Sequence, residues 1–285
     1  MSPPSGLGPD AVAVRARGVV VSYGATPVLG GVDLVVRRGE VLALVGPNGA
    51  GKSSLLAALA GDLALDAGTV AVHGRDLAAW RLRDLARERA VLTQEHRVAF
   101  PFPVATVVAM GRAPWRNRPE EDLDEATVAE AIAVCDLDTL VDRSFGALSG
   151  GEKGRTSFAR VLAQGTGVLL LDEPTAALDL GHQETTLARA RAEADRGAAV
   201  VVVLHDLSLA AAWADRVVLL HRGLVAAEGT PGAVLTADRL SHVYDHPVEV
   251  LPHPVTGELL VLADRRGHRR TPVDAPAHPT PEETP

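Results

Sequence analysis

Val41-Leu42-Ala43-Leu44-Val45-Gly46-Pro47-Asn48-Gly49-Ala50-Gly51-Lys52-Ser53 decides how this chain folds. An apolar run of strand length enters a turn that matches G-x-x-x-x-G-K-[ST]. From Ser53 to Ala60 the residues are strong helix formers with no breaker. Residues 41–60 therefore read as strand, phosphate loop and helix. A phosphate chain needs converging backbone N–H donors, which arise only where side chains leave the approach clear. Glycines supply both the space and the unusual dihedrals. Lys52 adds a point charge at the β- and γ-phosphates, and the Ser53 hydroxyl is set to ligate Mg²⁺.

Working outward, apolar runs at Val12–Val14, Val19–Val21 and Val32–Val36 precede the loop, and Gly68–Val72 follows it, so the chain opens β-rich. After Phe100-Pro101-Phe102-Pro103 helical patterns take over, including Glu121–Cys135 and Glu152–Gln164. From Val168 strands and helices alternate: Val168–Leu171, His182–Arg196, Ala199–Leu204, Leu207–Ala214 and Arg216–Leu220. Such alternation implies parallel strands with helices packed on the sheet. Val248–Leu251 and Glu258–Leu262 flank a Pro-Val-Thr-Gly turn and predict a closing hairpin. The buried strand at 168–171 runs into Asp172-Glu173, two carboxyls where a phosphate site needs them. Asp172 would hold the Mg²⁺ shell, and Glu173 would polarise the attacking water as general base or positioner.

The 285 residues are 47% hydrophobic and 22% charged, enough for a full core. A net charge of −8 argues against a surface built to neutralise nucleic-acid phosphates, so nucleic acid is not an expected partner. The single cysteine, Cys135, excludes an internal disulfide and lies in an apolar stretch, where it reads as a small buried hydrophobe. No apolar run approaches the roughly 20 residues needed to cross a bilayer as a helix. The amino terminus lacks the pattern of a signal peptide. A reducing, cytoplasmic compartment fits best. His242, His246, His253, His268 and His278 have no consistent ligand spacing, and no metal site is expected from them.

Leu148-Ser149-Gly150-Gly151-Glu152 stands at a helix start, where a hydroxyl, bare N–H groups and the helix dipole make an anion site. Together with the phosphate loop and Asp172-Glu173 it resembles the ABC ATPase family. The resemblance covers residues 12–262. It implies an α/β fold: a P-loop NTPase core of ABC ATPase type with an N-terminal antiparallel β subdomain and an inserted α-helical subdomain at about 95–164. The ATPase domain would span 11–263, between a flexible segment 1–10 and a disordered tail 264–285. It also implies ATP and Mg²⁺ as ligands, bound by Gly46, Pro47, Asn48, Gly49, Ala50, Gly51, Lys52, Ser53 and Ser54. Tyr23 would stack on adenine. Gln94 would touch Mg²⁺ with Ser53 and Asp172, and His205 would contact the γ-phosphate, joining Glu173, Gln94 and Lys52 as catalytic residues. Ser149, Gly150, Gly151 and Glu152 would cap the γ-phosphate held by a second subunit, and Asp179 would lie in the dimer-crossing loop. Glu152 stands where many members have Gln, and Lys153-Gly154 replaces a usually polar pair; Gly154 costs on the order of 1 kcal/mol relative to Ala in a helix.

One site set per chain implies a homodimer, or a heterodimer with a related subunit, joined to two transmembrane permease subunits at the cytoplasmic face of the membrane. The segment Ala99–Val104 with Met110-Gly111-Arg112-Ala113-Pro114-Trp115 resembles the importer branch for iron chelates, haem and cobalamin. With Phe158–Gln164 it looks most like haem importer ATPases, which serve an extracytoplasmic haem-binding protein indirectly. Ferric-siderophore or cobalamin import is the alternative, and a non-transport ABC ATPase a remote one. Trp115 replaces a usual histidine. Arg112 and Trp115 are expected near the groove that receives the permease.

Overall fold

The computed structural model describes residues 11–94 and 101–265. The expectations for 1–10, for Ala99 and Phe100, and for the tail with His268 and His278 lie outside the described residues.

The chain begins with β1 (Val12–Tyr23) and β2 (Thr26–Arg37), then β3 (Val41–Val45), α1 (Lys52–Ala60), β4 (Ala67–Val72) and β5 (Arg75–Asp76). Next come α2 (Leu82–Glu88), β6 (Arg89–Leu92), α3 (Val104–Ala109), α4 (Asp124–Val134) and α5 (Gly150–Gln164). The second half runs β7 (Val168–Asp172), α6 (Leu180–Asp195), β8 (Ala199–Val203), α7 (Leu207–Trp213), β9 (Arg216–His221) and β10 (Leu224–Gly229). It closes with α8 (Pro231–Val234), α9 (Ala237–Tyr244), β11 (Val248–Pro252) and β12 (Leu259–Ala263).

A six-stranded sheet ordered β10-β9-β3-β8-β7-β6 forms the centre, parallel except for β10. Its middle strands are buried on both faces, which is why they read as continuous apolar runs. Val41, Ala43 and Val45 face the core shared with α5, α6, α7 and α9. Leu42 and Leu44 face the core shared with α1 and the antiparallel sheet β2-β1-β4-β5. Helices α3, α4 and α5 make up the insertion between β6 and β7.

The runs Val12–Val14 and Val19–Val21 belong to one 12-residue strand. The register shifts between Ala16 and Val19. Gly18 there has φ +56° and its amide donates to Asp33 Oδ1 at 2.9 Å, so the apparent break is a bulge. Asp264, the first residue of the predicted tail, is still tied to the closing hairpin, its N–H donating to Pro247 O at 2.8 Å. Cys135 is buried, and its thiol is pushed up to about 12 by desolvation, which makes it unreactive. No helix among the described residues is long and apolar enough to cross a membrane.

Candidate functional site

The carboxyl ends of β3, β7, β8 and β6 open on one side of the sheet, where α/β folds build their sites. The loop after β3 has its shape fixed by close neighbours. A Cβ on Gly46 (φ +146°) would stand 2.2 Å from Leu220 O, and one on Gly51 (φ +99°) would stand 2.8 Å from Leu29 Cδ2. The Gly223 amide, from the β9–β10 turn, donates to Ala50 O at 3.1 Å. That brace comes from far along the chain, and no local pattern announces it. Lys52 is buried, and its Nζ donates to Gly46 O at 2.7 Å and Pro47 O at 3.0 Å. Burial lowers its pKa, while Glu173 and Asp172 act in the opposite direction.

Ser53 Oγ donates to Asp172 Oδ1 at 3.1 Å, bringing a hydroxyl and a carboxylate together at the foot of α1. Asp172 is buried, and desolvation raises its pKa against the opposing Ser53 hydrogen bond. Its folded pKa lies above its unfolded value, so the folded state binds the extra proton, and stability falls as pH climbs from the ordinary carboxylate value through the raised one. Asp172→Asn removes that burden, so thermal unfolding near neutral pH should show a higher midpoint than wild type. An unchanged or lowered midpoint would contradict the desolvation account.

Glu173 follows with φ +51°, a left-handed conformation that costs on the order of 1–3 kcal/mol for a non-glycine residue. The turn aims its carboxylate across the sheet ends. Gln94 Nε2 donates to Oε2 at 3.1 Å from the end of β6, and His205 Nε2 lies 2.5 Å from Oε1 at the end of β8. Three residues distant in sequence thus meet on one carboxylate.

Ser149 caps α5 by accepting from Glu152 N–H, while Glu152 Oε2 accepts from Ser149 N–H at 2.7 Å. This reciprocal box holds the Glu152 carboxyl below its usual range, chiefly through the Ser149 backbone. Gly150 and Gly151 pack on Ala177 and Leu178, and a Cβ on Gly151 would lie 3.2 Å from Ala177 O. Among the described residues, no hydrogen bond joins residues 149–152 to the phosphate loop. Asp179 caps α6, accepting from His182 N–H at 2.9 Å, and these bonds with His182 lower its pKa. Tyr23 is 54% exposed, with its hydroxyl 3.4 Å from Ser54 Oγ. Its ring is open to a flat partner beside α1.

Arg112 and Trp115, expected near the groove that receives the permease, both turn their side chains into the interior. Arg112 is 3% exposed and Trp115 7%. Arg112 Nε pairs with Asp124 at 2.6 Å, its other nitrogens reach Ala163 O and Glu120 O, and Trp115 Nε1 donates to Gln164 O at 2.7 Å. Gln164 Nε2 in turn donates to Ala86 O and Arg89 O. The pair ties the segment 110–124 to the end of α5, and Gln164 joins that end to α2 and β6. Trp115→Ala should therefore cost about 3–5 kcal/mol of stability, as large-to-small core changes do; a denaturation midpoint within error of wild type would refute the locking role.

The chain is similar to known proteins in sequence and in fold. The ABC transporter family profile matches residues 29–176. The hemin import ATP-binding protein HmuV of Rhodococcus jostii (strain RHA1) is 56% identical over 255 residues, covering 90% of this chain and 87% of that protein. Its counterpart in Nocardia farcinica (strain IFM 10152) is 59% identical over 259 residues, covering 89% and 90%. Among solved structures, the ATP-binding subunit of an ABC transporter superposes with a TM-score of 0.71 at 24% identity, covering 78% of this chain and 91% of that one. A nucleotide-free ATP-binding cassette gives 0.68 at 23%, covering 83% and 96%. A phosphate loop braced at the sheet's carboxyl edge, paired acids beyond it and a capped Ser-Gly-Gly helix start thus occur in a chain that belongs to the ABC transporter family.

Proposed function

We propose that this chain is the ATP-hydrolysing subunit of a bacterial haem importer, acting as a pair of copies beneath a membrane permease. The observation that carries the cargo is the 56% and 59% identity, over about nine-tenths of the chain, to proteins named for hemin import. The site residues fit the hydrolytic role. Lys52 leaves the Gly46 and Pro47 carbonyls for the β- and γ-phosphates of ATP, whose negative charge offsets the burial that lowers its pKa. Ser53 and Asp172 present hard oxygen donors 3.1 Å apart, in a place where desolvation makes a bare carboxylate unfavourable. Those two residues, with Gln94, suit Mg²⁺, which when bound would neutralise charge on the phosphates. Glu173 accepts the proton of the attacking water, and Gln94 and His205 hold its carboxylate in line.

The signature turn 149–152 has its donors beside Ala177 rather than on its own phosphate loop. A second copy would bring that turn to the γ-phosphate, with Asp179 at the crossing and Tyr23 against adenine. Closing the pair around ATP would drive the permease at the cytoplasmic face of the membrane. An extracytoplasmic binding protein would deliver the haem.

Deleting the protein should abolish growth on haemin as sole iron source while sparing use of ferric siderophores and cobalamin. Wild type should restore growth and Lys52→Ala should not. Normal growth on haemin, with a defect on a ferric chelate or cobalamin, would move the cargo.

A further inference from the structure

The phosphate loop and Tyr23 belong to different sheets, and one turn touches both. The loop follows β3 of the central sheet, whereas Tyr23 ends β1 of the antiparallel one. Arg222 and Gly223 form the two-residue turn between β9 and β10. Both are left-handed, at φ +51° and +77°, the combination that closes a tight hairpin. Gly223 N–H donates to Ala50 O at 3.1 Å, and the Gly223 carbonyl accepts from Gly30 N–H, in β2, at 3.0 Å. A single residue thus bonds the phosphate loop on one side and β2 on the other.

The contacts around it leave no slack. A Cβ on Gly223 would stand 2.3 Å from Val28 O and 3.4 Å from Leu29 Cα, and one on Gly51 would stand 3.0 Å from the same Val28 O. Leu29 is itself fully buried in the core shared with α1. Next to Val28, β2 pairs back with β1: Ser22 faces Pro27, and Tyr23 faces Thr26. The corner that carries Tyr23 is therefore tied to the phosphate loop through Gly223.

We propose that Gly223 is a positioning residue that sets the spacing between the corner at Tyr23 and the phosphate loop, so that one nucleotide engages both at once. This rests on Tyr23 being the adenine contact and on residues 46–53 being the phosphate site. Two contacts made by one ligand reinforce each other only when their spacing matches it. A side chain at 223 would grow towards β2, since the atoms nearest to its Cβ belong to Val28 and Leu29. Substitution therefore pushes the corner away and leaves the glycines of the phosphate loop in place.

The test uses the purified full-length chain with Mg²⁺, titrated calorimetrically with ATP and with inorganic tripolyphosphate, which carries the phosphate chain without a base. Gly223→Ala should weaken ATP binding about 5- to 100-fold, the contribution of one base–aromatic stack, while tripolyphosphate binding changes less than about three-fold. A merely structural role would weaken both ligands alike. Gly223→Asn puts the same Cβ on a residue that tolerates the left-handed backbone, and it should show the same selective loss.

Equal losses for the two ligands, unchanged ATP affinity in Gly223→Ala, or recovery in Gly223→Asn would each overturn the proposal. If neither variant folds, Gly30→Val carries the test through the same ratio, because its Cβ would meet Leu224 Cδ2 of the adjoining turn at 3.1 Å. Wild-type protein that binds tripolyphosphate as tightly as ATP would instead refute the stacking role of Tyr23. Lys52→Ala that binds both ligands like wild type would refute the phosphate site itself.

Discussion

Glu173→Gln protein should bind ATP at wild-type affinity or tighter and hydrolyse it about 10²–10⁴-fold more slowly, the range that a positioned general base supplies. Glutamine fills the same volume and keeps an acceptor for the Gln94 amide. Its amide nitrogen can donate to His205 in the neutral tautomer that presents a free ring nitrogen. The left-handed backbone at residue 173 tolerates both residues equally. What is lost is the ability to take a proton. Single-turnover phosphate release reads this loss directly. Size-exclusion chromatography with ATP should show a stabilised pair of copies, since the closed state no longer resolves. Hydrolysis within about three-fold of wild type would remove Glu173 from the proton-accepting role.

Lys52→Ala should be the other severe change. The lysine is buried, and the two carbonyls it occupies lose their donor when it is removed. Hydrogen bonds to charged groups contribute about 1.5–3 kcal/mol, so ATP affinity should fall about 10- to 100-fold from the ground-state contact alone. The fall in kcat/KM should exceed that in affinity, because charge on the phosphates grows in the transition state. Isothermal titration beside a phosphate-release assay separates the two. Equal losses would mean that Lys52 binds ATP without favouring its hydrolysis.

Much of this was legible because the decisive elements are contiguous. Gly46–Ser53 and Leu148–Glu152 each carry their chemistry within one turn, and Asp172-Glu173 terminate an unbroken apolar strand. Strands β3, β7 and β8 are buried on both faces and show as solid runs of Val, Leu and Ala. The elements that escaped are those whose stability comes from neighbours. β6 is four residues with an arginine at its head, and β10 alternates exposure on the sheet edge. α2 is charged along most of its length and buries only Leu85. Gln94 and His205 could be placed through family resemblance, but their meeting on Glu173 depends on the strand order, which one sequence does not encode in any local pattern. The inward turn of Arg112 and Trp115 was hidden for the same reason: the carbonyls that receive them lie on α5, far along the chain.

The helical insertion leaves the sheet after β6 and returns at β7, and these two strands are immediate neighbours with β6 at the edge. Lengthening or shortening the connections inside the insertion therefore breaks no ladder hydrogen bond of the central strands, and each doubling of a flexible loop adds only about 0.6 kcal/mol of closure entropy. The two parts of the chain can thus diverge at different rates. The residues at the carboxyl edge of the sheet are tied to interior strands and tolerate little change, whereas the inserted body can accumulate substitutions and length differences without disturbing them.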